Sequence, residues 1–299
     1  MSEQTTPAFS VKPEPYVRPR HSLGQQVSRL MRQHPIGTIG AFLIILVVLI
    51  AIGAPLVSPY DPTAQPSKRL LAPNAQHLFG TDELGRDILS RIIYGSRISL
   101  YVGILAVSLA VAIGVPIGLS AGFIGGGFDS VVMRLIDIVL AFPALVLAIA
   151  ITGMLGPSVT NCMIAIGIVY SPQFARVSRA SVLTIKNEMY IEAARLVGCR
   201  TRRLISRHIL PNMLAPLIVL ITLQMSTAIL TEAGLSFLGL GTQPPTPSWG
   251  LMLSAGRKYM ELSPGVAIFP GLAIAITVLA FNFLGDGLRD ALDPRLRQL

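Results

Sequence analysis

Charged side chains are scarce in this sequence. They make up 13% of its 299 residues, whereas soluble domains carry about 25%. Hydrophobic residues account for 52%, so too few polar groups are left to cover a water-facing surface. The composition excludes an ordinary soluble globular protein and predicts an integral membrane protein.

Cysteine and histidine are also scarce. The two cysteines lie in different settings, Cys162 in an apolar stretch and Cys199 in a basic one, and the four histidines are scattered. These positions argue against a disulfide framework and do not match the spacing of a metal site. We therefore predict no metal ligands and no catalytic residues in this chain.

A phosphate-binding loop is missing from the complete sequence. None of the four lysines follows a glycine, so the Gly-Lys-Ser/Thr sequence that cradles a nucleotide phosphate does not occur. We expect the chain to carry no cofactor, and any ATP and Mg²⁺ that drive it to be bound by another subunit. The net charge of +9 could suggest a nucleic-acid partner. The basic residues flank apolar stretches, however, where they are expected to face the cytoplasm and anionic lipid.

Uncharged stretches long enough to cross a bilayer recur along the chain, since about 20 residues of helix span the hydrocarbon core. Residues 1–35 are polar and rich in proline, and are predicted to form a disordered cytoplasmic tail. Residues 36–299 are predicted to form one all-α membrane domain. It has six transmembrane helices at about 37–57, 99–122, 131–155, 159–174, 212–232 and 265–285.

The distribution of basic residues predicts the orientation. If the N-terminus is cytoplasmic, seventeen of the 24 Lys and Arg residues lie inside and seven lie outside. Because cytoplasmic loops carry the excess of positive charge, we predict that both termini are cytoplasmic. The segments 58–97 and 236–264 are then outside, and proline and glycine predict that most of the second is a loop.

The segment between the fourth and fifth spans, 187–210, has the pattern of two short amphipathic helices. Asn187 is a suitable N-cap, and Gly198 is a suitable C-cap in the left-handed conformation. Thr201 could cap a second helix that Pro211 separates from the fifth span. The pair could insert into a groove of a soluble partner or lie flat on the membrane surface, and the pattern alone does not favour either.

Polar residues in and near the spans offer further candidates. In the fifth span Gln224, Thr227 and Thr231 share one helical face, which could line a translocation path or form hydrogen bonds between helices. Glu232 ends that span, and we expect it to reach water. Asp137 is expected to pair with Arg134 one turn away, and Pro143 to kink the third span.

Several motifs together resemble one family. Glu192-Ala193-Ala194 followed by Gly198 and Leu210-Pro211 is similar to the coupling-loop signature of permeases of ATP-binding-cassette importers, although His208 stands where that signature has isoleucine. The stretches 80–87, 95–100, 234–241 and 284–294 resemble the second permease of the dipeptide, oligopeptide and nickel branch. The likeness extends over residues 35–297.

The resemblance implies a type I importer permease of the bacterial inner membrane that moves di- or oligopeptides inward. Its expected partners are a homologous permease, two cytoplasmic ATPases, an extracytoplasmic substrate-binding protein, membrane lipid and the peptide. The residues that it implies for coupling to the ATPase are Tyr190, Glu192, Ala193, Ala194, Arg195, Leu196, Gly198, Leu210 and Pro211. Those that we predict for docking of the binding protein are Asp82, Arg86, Asp87, Pro245 and Trp249.

Two other classes of membrane protein fit the sequence less well. A stand-alone secondary transporter or channel would need ionisable groups near the middle of the membrane, and the predicted spans have almost none. An intramembrane enzyme would need a catalytic pair within the spans, and no histidine lies inside any predicted span. The importer permease is therefore the function that we expect.

Overall fold

The computed structural model describes residues 34–65 and 67–292. Within these ranges all regular secondary structure is helical, and the one β-bridge joins Thr81 to Asp87. The predicted all-α class is confirmed. Residues 1–33 of the predicted tail lie outside the described residues.

Eleven α-helices are numbered here in chain order through the described residues. Their bounds are α1 Pro35–Ile52, α2 Ala54–Val57, α3 Ile88–Ile124, α4 Gly126–Leu140, α5 Ala144–Leu155, α6 Val159–Ile185, α7 Met189–Leu196, α8 Thr201–Leu204, α9 Leu210–Phe237, α10 Trp249–Gly256 and α11 Gly265–Leu292. A π-helical turn, Ile205–Ile209, joins α8 to α9, and a short 3₁₀ helix, Arg257–Tyr259, follows α10.

Four helical segments in the described part of the chain are long and apolar enough to cross a membrane: Pro35–Ile52, Ile88–Ile124, Thr201–Phe237 and Gly265–Leu292. The number becomes five if α4 and α5 count as one broken span. Helix α6, predicted to contain the fourth span, is long enough but more polar, and is not among them. Its 27 residues include Ser171, Gln173 and two arginines.

The third predicted span is not a continuous helix. Helix α4 ends at Leu140, α5 begins at Ala144, and the two are bent by 87°. Pro143 lies in the break, and a proline disfavours helical geometry in the residue before it. We expected a kink at this proline, and the structure has a right-angled turn.

Glycines allow α3 and α6 to pack closely. Gly114, Gly118 and Gly122 lie one turn apart on the face of α3 that contacts α6. A Cβ atom on Gly114 would lie 2.2 Å from the carbonyl oxygen of Ser171, and one on Gly118 would lie 2.0 Å from that of Ala175. The spacing is the small-residue repeat that brings membrane helices together, so these two helices form the centre of the fold.

The hydrophobic core surrounds this contact and includes residues of α9. Val102 and Ala106 of α3, Ile166 and Phe174 of α6, and Ile229 of α9 are all buried in one cluster. Helix α1 packs on the outside against α11, again through glycine, because Gly37 and Gly287 meet backbone to backbone. Short connections then place α7 and α8 together beyond the ends of α6 and α9.

Candidate functional site: the helix pair between residues 187 and 212

Helix α7 is the first member of the predicted pair, and its two ends differ in how well they were predicted. The helix begins after Glu188, whose backbone is extended, so the prediction that Asn187 is the N-cap was wrong. At the other end Gly198 has φ of +78°. Its N–H donates to the carbonyl oxygen of Arg195 at 2.9 Å, and that of Cys199 donates to Ala194 at 3.0 Å. The predicted left-handed glycine cap is confirmed.

One side chain anchors α7 to the bundle. Ile191 is fully buried, in the same cluster as Leu204 and Ile209 of the following segment. Ala194 is half-buried against that cluster, whereas Glu192 and Ala193 are exposed. The residues predicted for coupling do not include Ile191, which is the residue that fixes the helix.

The opposite side of α7 carries large apolar side chains that nothing in the described residues covers. Met189 is 85% exposed, Leu196 88% and Val197 84%. Tyr190 is 45% exposed, and its hydroxyl accepts a hydrogen bond from the side-chain amide of Asn212 at 3.3 Å. Met189 and Leu196 on α7, with Val197 directly after it, form an apolar patch of the kind that marks an interaction site.

The second helix does not end before the fifth span. Helix α8 starts after Arg200 rather than after a Thr201 cap, and the chain continues as a helix through the π turn into α9. Pro211 lies in the first turn of α9. Proline is tolerated there, because the N–H groups of the first turn have no acceptor within that helix. The prediction that Pro211 separates the two elements was wrong. Leu210 and Pro211 are both exposed at this junction.

The candidates for the translocation path divide into two kinds. The side-chain amide of Gln224 donates to Gln173 of α6, and the hydroxyls of Thr231 and Tyr170 are joined at 2.7 Å. Gln224 and Thr231 are both buried, and their hydrogen bonds connect α9 to α6 within the chain. Thr227 is exposed and donates to the Leu223 carbonyl, so it is the candidate that presents a surface.

The candidates for docking on the predicted outer side form the framework of the loop before α3. Asp82 pairs with Arg86 at 2.6 Å and lies 3.4 Å from Arg91, and all three are buried. Asp87 caps α3 by accepting from the Ser90 N–H at 2.8 Å, and it pairs with His77 at 2.9 Å. These ion pairs are internal to the loop, so the predicted docking residues hold its shape.

The second segment predicted for docking contains one buried candidate, Trp249, and one exposed candidate, Pro245. Trp249 is 2% exposed and donates from Nε1 to the carbonyl oxygen of Ile92 at 3.0 Å. It is the first residue of α10, a helix in a segment that was predicted to be mostly loop. Pro245 is exposed, so it is the member of this set that can touch another protein directly, while the buried members shape the surface around it.

Sequence reasoning misjudged two acidic residues. Glu232 has no exposed surface, although it was expected to reach water. Its carboxylate accepts from the hydroxyls of Ser236 at 2.7 Å, Ser99 at 3.3 Å and Thr242 at 3.4 Å. Asp137 accepts from Arg176 at 2.6 Å and forms no ion pair with Arg134 in the described part of the chain. Ser236 lies one turn along the same helix, but the other three partners lie at least ten residues away on other elements, and no sequence signal identifies those three.

Residues 114–298 match the family model described as binding-protein-dependent transport system inner membrane component, and residues 22–73 match the N-terminal transmembrane domain of oligopeptide transport permease C. The chain is 47% identical to the dipeptide transport system permease protein DppC of Alkalihalophilus pseudofirmus, covering 91% of this chain and 90% of that protein. It is 49% identical to the di/tripeptide transport system permease protein DppC of Pseudomonas aeruginosa, covering 88% and 90%. With the glutathione transport system permease protein GsiD of Escherichia coli the identity is 45%, covering 96% and 94%.

Among solved structures, the fold is similar to a chain of the MetNI methionine ABC transporter in an inward-facing conformation. The TM-score is 0.58 and the identity is 18%, with 69% of this chain and 98% of that chain covered. At this identity the match shows the fold and does not extend to the solute.

Proposed function

Since this chain belongs to the family of binding-protein-dependent transport system inner membrane components, we propose that it is a permease subunit that carries di- or oligopeptides inward across the bacterial plasma membrane. Two curated relatives above 45% identity are named for dipeptides or di- and tripeptides, and a third is named for glutathione, itself a tripeptide. Small peptides are the solute class that these names share.

The observation that carries the proposal is the apolar patch on α7, formed by Met189, Leu196 and Val197. The helix is fixed to the bundle on one side by Ile191 and is bare on the other, so it can transmit a force from a bound protein to the spans. We propose that the bound protein is a cytoplasmic ATPase. The coupling residues are Tyr190, Glu192, Ala193, Ala194, Arg195, Leu196, Gly198, Leu210 and Pro211.

The proposed topology has six spans and both termini in the cytoplasm. Counting α4 and α5 as one span and adding α6 gives six, and it places α7 and α8 on the side that carries most of the basic residues. The loops that contain Asp87 and Pro245 would then face outward, where we propose that the substrate-binding protein docks.

The proposed assembly contains a second, homologous permease, two ATPase subunits and the binding protein. Transport would follow alternating access, in which closure of the ATPase pair moves α7 and thereby reorients the two permeases. Thr227, exposed on α9, is proposed to face the path between them. ATP and Mg²⁺ would be bound by the ATPases, since this chain has no Gly-Lys-Ser/Thr sequence.

The coupling role is tested in reconstituted complexes by measuring ATP hydrolysis stimulated by the peptide-loaded binding protein. Ala193→Trp adds bulk at an exposed position and should hold the ATPase away. Gly198→Val should distort the end of α7, because a β-branched residue is strained at φ of +78°. Thr201→Val, at an exposed position with ordinary φ, is the matched control.

Both test variants should lose most of the stimulated hydrolysis and retain binding of the homologous permease, because the spans are unchanged. Wild-type stimulation in both would show that α7 is not the coupling element. Solute uptake by this subunit alone in liposomes would favour the secondary-transporter class instead. The solute itself is tested by growth on defined peptides of a strain that lacks the subunit.

A further inference from the structure

An open cavity of about 620 Å³ lies between the end of α7 and the helical segment that follows it. Its lining residues include Val197, Gly198 and Cys199 at the end of α7, and Arg200, Arg203 and His208 after them. The cavity adjoins the apolar patch, since Val197 belongs to both. A protein that covers the patch would therefore also reach the cavity.

The charge around this cavity is strongly positive. Residues 186–208 contain six basic residues, Lys186, Arg195, Arg200, Arg202, Arg203 and Arg207, against two acidic ones, Glu188 and Glu192. Four of these residues are Arg200, Arg202, Arg203 and Arg207. None of the four forms an ion pair within 4.0 Å with another residue of 34–65 or 67–292. Four arginines elsewhere, Arg86, Arg91, Arg176 and Arg179, do pair with carboxylates, as Arg179 does with Asp129 at 2.5 Å.

We propose that this cavity receives acidic side chains of the ATPase subunit, with Arg200 and Arg203 as the residues that bind them. The inference rests on the proposed function and adds the chemistry of the contact. Arginine binds carboxylates through paired N–H donors, and its charge does not depend on pH in the physiological range. A pair of arginines lining a cavity without an acid of its own is complementary to an acidic segment. The apolar patch would supply the adjoining buried contact.

The chain offers an internal reporter for the potential inside the cavity. It has two cysteines, of which Cys162 is fully buried and Cys199 lines the cavity. In the purified permease pair without ATPase, a negatively charged methanethiosulfonate should modify Cys199 on the order of ten-fold faster than a positively charged one of similar size, because a positive site concentrates anions. Arg200→Gln with Arg203→Gln should remove this preference. Arg202→Gln with Arg207→Gln, which changes exposed arginines that do not line the cavity, should leave most of it.

The second measurement uses the assembled complex. Cys199 should be protected from both reagents when the ATPase is bound. Arg200→Glu with Arg203→Glu should weaken retention of the ATPase by about ten-fold or more and make it more sensitive to salt, whereas Arg202→Glu with Arg207→Glu should have a much smaller effect.

The outcomes separate the cavity from the coupling role. If the ATPase binds wild-type complexes while Cys199 stays reactive, or if the two double variants weaken binding equally, the cavity is not the acidic contact although the proposed function stands. Protection of Cys199 by liposomes of anionic lipid in the absence of ATPase would assign the cavity to the membrane surface and overturn the proposal. Failure of the wild-type permease pair to bind any ATPase would instead overturn the proposed function.

Discussion

Gly118→Ala is expected to disrupt the contact between α3 and α6. The added Cβ would lie 2.0 Å from the carbonyl oxygen of Ala175 and 2.8 Å from the Cβ of Ser178. The first of these atoms belongs to the backbone of α6, so no change of rotamer relieves the overlap. Ordinary contact begins at 3.4 Å, so that oxygen and the new methyl group would have to separate by about 1.4 Å.

The magnitude follows from two opposing effects. Replacing glycine by alanine inside a helix stabilises it by roughly 0.5–1 kcal/mol, whereas overpacking a well-fitted contact costs about 1–3 kcal/mol. The separation required at Gly118 is large for a single methyl group, so we expect a net loss near the upper part of that range. Gly153→Ala in α5 isolates the first effect, because no heavy atom outside its own helix backbone lies within 4 Å of the added Cβ.

The assay is thermal denaturation of the purified protein in detergent, followed by the fraction that remains monodisperse in size-exclusion chromatography. Gly118→Ala should lower the midpoint by several degrees, while Gly153→Ala should leave it unchanged or raise it slightly. Gly114→Ala, whose Cβ would lie 2.2 Å from the Ser171 carbonyl oxygen, should resemble Gly118→Ala. If both α3 variants matched Gly153→Ala, the close packing of α3 on α6 would be wrong.

Three further predictions concern other parts of the fold. Glu232→Leu should lower the thermal midpoint by an amount equivalent to about 1–3 kcal/mol, because its buried hydroxyl partners lose their acceptor. Glu232→Gln should have a milder effect. Equal midpoints for the wild type and both variants would contradict the hydrogen bonds to Glu232. Gly287→Val should separate α11 from α1, since its Cβ would lie 2.4 Å from the Cα of the facing glycine, whereas Gly271→Val on the same helix meets its nearest atom only at 4.0 Å and should be tolerated. In a cysteine-free background, an impermeant thiol reagent applied outside the cell should label a cysteine placed at Ser67 and not one at Ser206, and the reverse pattern would overturn the proposed orientation.

Composition and local patterns predicted the parts of the fold that depend on one segment at a time. The apolar stretches of α1, α9 and α11 are helical as expected, and Gly198 caps α7 because a positive φ is a local requirement that glycine satisfies. Helix α3 begins at Ile88, earlier than the predicted span at 99. Asp87 supplies the N-cap there by accepting from the Ser90 N–H, so the helix starts before the uncharged stretch does.

The features that were missed depend on contacts between segments. Spans were predicted from the length of uncharged stretches. Length does not distinguish a kink at Pro143 from the 87° turn between α4 and α5. Likewise, the position of Glu232 at the end of an apolar stretch indicated water, but the loop that follows folds back and places Thr242 against it. The partner of Asp137 was predicted from helical spacing, and Arg176 of α6 occupies that role.

Helix α6 joins α7 to the bundle, and its contacts explain how a movement of α7 would reach the spans. Three residues separate the end of α6 at Ile185 from the start of α7, so the two helices are closely linked.

On the α6 side of that link two kinds of contact converge. The glycine face of α3 packs on it directly, and Arg179 binds Asp129 of α4 through two nitrogens at 2.5 and 2.6 Å. The second pair, Arg176 with Asp137, is more than half exposed and contributes less, because solvent screens it.

Lys186, directly after the end of α6, adds a third contact by donating to the carbonyl oxygen of Gly122 of α3 at 2.8 Å. A displacement of α7 is therefore resisted first by α3 and α4, through backbone contact and a bidentate ion pair, and reaches α9 through the hydrogen bonds of Gln224 and Thr231. Under the proposed mechanism α3, α4, α6 and α9 would move as one body.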